Sequence, residues 1–234
     1  SLRESKEKMK HKLIISGATG KMGLSLKECL NEFLDFELVY SASSKELEIP
    51  NASMIIDFSE SSFSIEILKQ AVEKGIPMLI GTTGFNNEQK EEIESSSNHI
   101  PILLAPNTSL GVYSLKRMIK ELLPFISETT IISIEETHHK NKKDSPSGTA
   151  LDLENYIQEE FSLTNNISIK SNRIEDHSGS HSLSFRNNNE EIQISHKSLN
   201  RKVYSEGAFI AARWLLGQGP GLYEISDIYL SKTP

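Results

Sequence analysis

The stretch Lys12-Leu-Ile-Ile-Ser-Gly17-Ala-Thr-Gly20-Lys-Met-Gly23-Leu-Ser-Leu-Lys-Glu-Cys29 decides the fold. Leu13, Ile14 and Ile15 make a strand-sized apolar run. Beyond the glycines, Met22, Leu26, Leu30 and Phe33 recur at three- and four-residue steps, the period of a helix with one apolar face. The segment therefore reads as strand, glycine turn and helix. Glycines at such a turn allow a tight reversal, close approach of backbone to a pyrophosphate and close helix-to-strand packing, while N–H groups at the helix start face the phosphates. Gly17, Ala18, Thr19, Gly20, Lys21 and Met22 are the candidate dinucleotide-binding residues. Their Gly-x-x-Gly-x-x-Gly spacing departs from Gly-x-Gly-x-x-Gly, so the alternative is a bare structural turn; the position between strand and helix favours the ligand.

Working outward, further apolar runs at 37–40, 54–57, 78–80 and 102–105 are separated mostly by helix-length segments, as a parallel sheet with crossover helices requires. Only about a dozen residues separate the second run from the third, too few for a crossover helix, and a loop is expected there. At the end of the second run an NAD-specific site usually places an acidic residue on the adenosine ribose. Here Ser43, Ser44 and Lys45 stand instead, a set that can receive a 2′-phosphate and leans the reading towards NADPH over NADH; an ordinary polar loop is the alternative. Two more turns fall at the carboxyl ends of later runs, where doubly wound sheets bind ligands: Gly81, Thr82 and Thr83, and Ala105, Pro106, Asn107 and Thr108. Their small hydroxyl and amide side chains can line a nicotinamide pocket.

After Pro106 the pattern changes. A helix is expected over 110–126, a β run over 130–135, a helix over 148–161, and an antiparallel hairpin from the alternation at 182–186 and 191–195 around Asn187-Asn-Asn-Glu190. An apolar helix at 206–216 ends at Gly217. The fold class is thus α/β: a Rossmann-like doubly wound parallel sheet, with a second α+β domain containing a mixed or antiparallel sheet. The expected division is 9–106 with 207–234 for the dinucleotide and 107–206 for substrate and oligomerisation. The charged opening 1–8 reads as a non-native scar before Met9.

Composition narrows the function classes. With 37% hydrophobic and 24% charged residues among 234, the chain is an ordinary globular protein rather than a disordered or coiled-coil one. A net charge of −7 offers no general field for nucleic acid, so an anionic ligand needs a local basic or backbone site. The single Cys29 excludes an intrachain disulfide framework and a Cys-x-x-Cys site, and suits a reducing, cytoplasmic setting. No apolar run approaches the roughly 20 residues of a membrane span. His177 and His181 lack a helical pattern and an accompanying acidic cluster, so no metal site is expected.

The densest chemistry lies in Glu135-Glu-Thr-His138-His139-Lys-Asn-Lys142-Lys-Asp-Ser-Pro-Ser147-Gly148-Thr149-Ala150, which leaves a strand and enters a helix. Histidines supply an acid near neutral pH, lysines neutralise carboxylates, and a helix start offers backbone donors. This describes a pocket for a small dianion that receives a proton; a solvated basic loop before a capped helix is the plainer alternative.

The ordered set Gly17–Gly23, Gly81–Gly84, Ala105–Thr108 and Glu136–Ala150 resembles the 4-hydroxy-tetrahydrodipicolinate reductases, formerly called dihydrodipicolinate reductases. The most specific element is His-His-x-x-Lys-x-Asp-x-Pro-Ser-Gly-Thr-Ala at 138–150, and Arg173, Gly179, His181, His196, Arg201 and Gly207 follow in the family order. The resemblance implies NAD(P)H-dependent reduction of (2S,4S)-4-hydroxy-tetrahydrodipicolinate to tetrahydrodipicolinate, with loss of water, in the diaminopimelate route to lysine. It implies that His138 donates the proton and that Lys142 holds or protonates the substrate. His139 and Ser147 would contact the substrate, and Gly148 and Thr149 would bind a carboxylate of it. It further implies a C-terminal stretch that completes the cofactor domain, a homotetramer built on the middle-domain sheet, and lobe closure that brings nicotinamide to substrate. Two departures stand out: the segment after the second strand is short, and Asn141 replaces the basic residue or histidine of many relatives.

Two other classes share the glycine turn. A short-chain reductase would need Tyr-x-x-x-Lys, but Tyr113 is followed four residues later by Arg117. A redox-sensing regulator would bind the dinucleotide without turnover, leaving His138 and Lys142 without a task.

Overall fold

The structure, a computed structural model, describes residues 9–42, 48–122, 124–162 and 167–230. They fall into two compact units, one within Ser1–Ser109 and Tyr204–Pro234, the other within Leu110–Val203.

The first unit is built on a six-stranded parallel sheet. Its strands are β1 (His11–Ser16), β2 (Phe36–Ala42), β3 (Met54–Asp57), β4 (Met78–Ile80), β5 (Pro101–Leu104) and, from the C-terminal segment, β10 (Gly221–Tyr223), in the spatial order β10-β5-β4-β3-β1-β2. The order reverses between β1 and β3, which makes their carboxyl ends the topological switch point where such sheets take ligands. Helices α1 (Lys21–Cys29), α2 (Ser61–Lys74), α3 (Asn87–Ser96) and most of α6 (Lys202–Leu215) belong to this unit, with the short α7 (Ile225–Leu230). Every residue of β3 and β4 is buried, as expected of central strands covered on both faces. Ile14, Ile55, Ile67, Leu68, Met78 and Ile102 form the heart of one apolar cluster. Local chemistry sets the helix ends: α3 starts in a reciprocal Asn86–Gln89 capping box, and α2 stops at Gly75, whose φ of +66° suits glycine.

The second unit has a four-stranded mixed sheet, ordered β7-β6-β8-β9, from β6 (Ile131–His139), β7 (Ser168–Ile174), β8 (Ser180–Arg186) and β9 (Glu191–Lys197), with helices α4 (Leu110–Lys120) and α5 (Gly148–Phe161). Its core gathers Leu115, Ile119, Ile132, Leu153, Leu183 and Phe185.

Three expectations need correction. The helix drawn over 110–126 ends at Lys120, because Pro124 disfavours helical backbone before it and the chain turns at Leu122. The β run drawn over 130–135 continues to His139, so both histidines sit on a strand rather than in a loop. Strand β7 was not anticipated, because Ser168-Ile-Lys-Ser-Asn-Arg-Ile174 carries too few apolar residues to signal one. The loop expected between the second and third runs includes 43–47, so Ser43, Ser44 and Lys45 lie outside the described residues.

Candidate active site

In the first unit, the turn at the switch point needs two of its three glycines for its own packing. A β-carbon on Gly17, whose φ is +73°, would lie 2.1 Å from the Phe58 carbonyl oxygen, and one on Gly23 would lie 2.4 Å from the Gly17 carbonyl oxygen. Gly20 differs: its nearest neighbour would be 3.4 Å away, so the fold itself does not demand a glycine there. Gly20 also stands at the N-terminus of α1 without a side-chain cap, and Thr19, Gly20 and Lys21 are exposed. Ala18 is buried and Met22 half-buried. An open backbone at an uncapped helix start suits a pyrophosphate, so these residues fit a dinucleotide.

In the other two turns, several hydroxyls are already committed. Thr82 donates to Asp57 Oδ2 at 2.7 Å and accepts from the Ser59 N–H at 2.8 Å, and Thr108 donates to the Tyr204 carbonyl at 2.7 Å. Their backbone, together with exposed Thr83 and Pro106 and half-buried Asn107, is what these turns present outward. Gly81 is packed against the Phe58 ring, which a β-carbon would approach to 2.2 Å.

In the second unit, β6 turns one face of alternating residues inward. Ile132 and Ile134 join the core, and Glu136 and His138 follow on the same face. Register then places Arg173 of β7 opposite His138, His181 of β8 opposite Glu136, and His196 of β9 opposite His181. The strand thus passes from packing to chemistry within one pleat.

Glu136 is fully buried and fully engaged. Arg173 grips it with Nη1 on Oε2 at 3.0 Å and Nη2 on Oε1 at 2.9 Å, the Ser147 N–H donates to Oε1 at 3.2 Å, and His138 Nδ1 bonds Oε2. Burial alone would raise its pKa, yet hydrogen bonds from Arg173, Ser171 and His138 prevail and hold it at about 2. Burial pulls His138 below the usual imidazole value, against the opposing pull of Glu136. His181, edge-on to His138 at 5.1 Å, bonds Ser147 Oγ at 3.2 Å and is pushed down to about 4, first by burial and then by His138.

Ser147 caps α5 by accepting from the Ala150 N–H at 3.2 Å. Lys142 Nζ and the Gly148 N–H both reach the Asp144 carboxylate, at 2.8 Å and 3.3 Å, and Arg173 Nη2 donates to the Asp144 carbonyl at 2.6 Å. His139, on the opposite face of β6, meets Arg201 at 3.3 Å; Thr149 is half-buried in the first turn of α5. Among the described residues, no group of three or more His, Cys, Asp or Glu is placed to hold a metal ion.

Residues 43–108 match the family description "Dihydrodipicolinate reductase, N-terminus" and residues 111–229 match "Dihydrodipicolinate reductase, C-terminus". The chain belongs to the dihydrodipicolinate reductase family. It is 33% identical to the 4-hydroxy-tetrahydrodipicolinate reductase of Buchnera aphidicola subsp. Cinara cedri, over 94% of this chain and 97% of that one. It is 34% identical to that of Caldanaerobacter subterraneus, over 93% and 97%. A solved dihydrodipicolinate reductase from Paenisporosarcina, bound to dipicolinate, shares the fold, with a TM-score of 0.79 at 19% identity over 92% of this chain and 98% of that one. Within this reductase family member, sequence reasoning missed Glu136 as a site residue and left Arg173 and His181 without a role. The signal for Glu136 was its two-residue spacing from His138, which becomes meaningful once the strand is known to reach His139.

Proposed function

We propose that this chain, an oxidoreductase of the family, reduces 4-hydroxy-tetrahydrodipicolinate to tetrahydrodipicolinate in the diaminopimelate route to lysine. One hydride and one proton are taken up and one water leaves. The observation that carries the reading is the convergence of Lys142 Nζ and the Gly148 N–H on a single carboxylate, here that of Asp144, joined through Arg173 to the Glu136–His138 pair. Two donors that already bind one carboxylate can bind a substrate carboxylate in its place, with Thr149 and His139 as further contacts.

A bound reduced nicotinamide supplies the hydride, held by Gly17–Met22, the Gly81–Thr83 turn and the Ala105–Thr108 turn. NADPH is the favoured form and NADH the alternative. His138 supplies the proton. Its Nδ1 is tied to an ionised Glu136, so the neutral ring keeps its hydrogen on Nδ1 and an acquired proton resides on Nε2. Because burial weakens the ring's hold on that proton, the imidazolium is a ready donor, and an arriving dianion restores its affinity until transfer. Lys142 neutralises the substrate and orients it. The same reading extends to a homotetramer formed on the outward sheet face, where Ile131 and Ile174 are 57% and 47% exposed, and to a cytoplasmic setting.

The test is loss of reduced-nicotinamide absorbance with substrate made in situ from pyruvate and aspartate semialdehyde by the preceding synthase, with NADPH and NADH in parallel. Turnover is expected with at least one, faster with NADPH. Dinucleotide binding without turnover would favour the regulator instead. Light scattering that returned a monomer would remove the tetramer.

A further inference from the structure

Asp57 ends β3 at the switch point, is fully buried, and takes no part in the chemistry above. Its surroundings are unusual for a buried carboxylate. Ser16 Oγ and Ser59 Oγ donate to Oδ1 at 2.6 Å each, and Ser64 Oγ and Thr82 Oγ1 donate to Oδ2 at 2.7 Å each. Four hydroxyl protons thus converge on two oxygens, with no cation among these partners.

The donors come from four places. Ser16 precedes Gly17 at the end of β1, Ser59 lies in the connection after β3, Ser64 is in the first turn of α2, and Thr82 lies in the turn after β4. The backbone repeats the pattern: the Phe58 N–H bonds the Ser16 carbonyl at 3.1 Å and the Gly81 N–H bonds the Asp57 carbonyl at 2.8 Å. Phe58 then presses its carbonyl against Gly17 and its ring against Gly81. Asp57 and Phe58 therefore form a point from which both glycine turns are held.

We propose that Asp57 is a positioning residue for the dinucleotide: its carboxylate sets the spacing and orientation of the Gly17 and Gly81–Thr83 turns, so that their backbone donors match a bound cofactor. This rests on the reading of those turns as the cofactor site. An acceptor-only group suits the task. Hydroxyls that spend their protons inward are held in one orientation: Ser59 Oγ lies closer to Asp57 than to its second acceptor, the Glu60 carbonyl at 3.3 Å, and Thr82, which also accepts from the Ser59 N–H, is held at both ends. In Asp57→Asn one oxygen becomes an NH₂ donor, so the two hydroxyls that donated to it must turn to accept and find other acceptors for their own protons, which shifts the turns they hold.

The test compares Asp57→Asn, Thr82→Val and Thr82→Ser with wild type, in NADPH fluorescence titrations without substrate and in steady-state kinetics, with circular dichroism as the check on folding. Asp57→Asn and Thr82→Val are expected to weaken NADPH about tenfold or more, the scale of a lost buried hydrogen bond. KM for NADPH should rise more than kcat falls, Thr82→Ser should bind NADPH more tightly than Thr82→Val because it keeps the hydroxyl, and the Asp57→Asn/Thr82→Val double variant should be no worse than the weaker single one. A folded Asp57→Asn that binds NADPH within about twofold of wild type overturns the proposal. If Asp57→Asn does not fold, equal binding by the valine and serine variants of Thr82 overturns it. Wild-type protein that bound neither NADPH nor NADH would overturn the cofactor reading itself, and this one with it.

Discussion

Asp57 and Glu136 are both fully buried carboxylates toward the carboxyl ends of strands, and each is saturated with donors, but the donors differ in kind. Asp57 is held by four neutral hydroxyls. Glu136 is held by a guanidinium, a backbone N–H and an imidazole. Neutral donors fix geometry and carry no charge to exchange. Titratable donors make the carboxylate part of a proton's path, because any change in its state is felt at His138. On the proposed function, the first unit uses its buried carboxylate as an internal strut, and the second unit uses its own to prepare an acid.

The largest effect that would break this contrast is at His138. His138→Ala is expected to lower turnover by about 10²–10⁴, the usual range for a general acid, with NADPH affinity nearly unchanged in a titration. Unchanged turnover would remove the proton donor. Glu136→Gln is expected next: it leaves the Arg173 charge uncompensated, costing about 3–5 kcal/mol of stability by urea unfolding. It should also move the alkaline limb of kcat/KM to lower pH, because the carboxylate that supports the His138 proton is gone. An unmoved limb would reduce Glu136 to a structural role.

Acid unfolding sharpens the comparison further. His181 is held at about 4 when folded and near 6.5 when unfolded, so the unfolded chain binds the extra proton between these values, and stability falls as pH drops from 6.5 to 4. Glu136 adds to this at lower pH: its contribution is present above about 4.5 and is lost as pH falls towards about 2. Together they predict that unit-specific probes, such as hydrogen exchange, see the second unit loosen first on acidification, by up to about 3 kcal/mol for each group. His181→Asn should flatten the upper part of the curve. The smallest effect is expected at Ser64, one of four donors to Asp57: Ser64→Ala should cost about 1–2 kcal/mol in urea unfolding at neutral pH.

The two glycine-rich and histidine-rich segments were legible because their meaning is local. Gly17–Gly23 joins an apolar strand run to a helical period, and the 138–150 run carries a family signature in consecutive residues. The end of α4 was missed for an equally local reason, since Pro124 outweighs the apolar period that continues past it. Arg173 was harder: it sits on a strand too polar to recognise and meets Glu136 37 residues away in the chain.

What the sequence alone determined is the order of most elements, β7 excepted, the α/β class, the family, and the side chains with chemical capacity, because periodicity, turn chemistry and motif spacing act over a few neighbouring residues. What only the tertiary structure decided is how those side chains are employed. Thr82 and Thr108 point their hydroxyls inward, Asp57 gathers donors from four separate segments, and Glu136 meets an arginine from another strand. The reason is physical: a buried polar group must be satisfied by whatever partner folding brings within about 3 Å, and that partner is chosen by strand order and register, which no local pattern encodes.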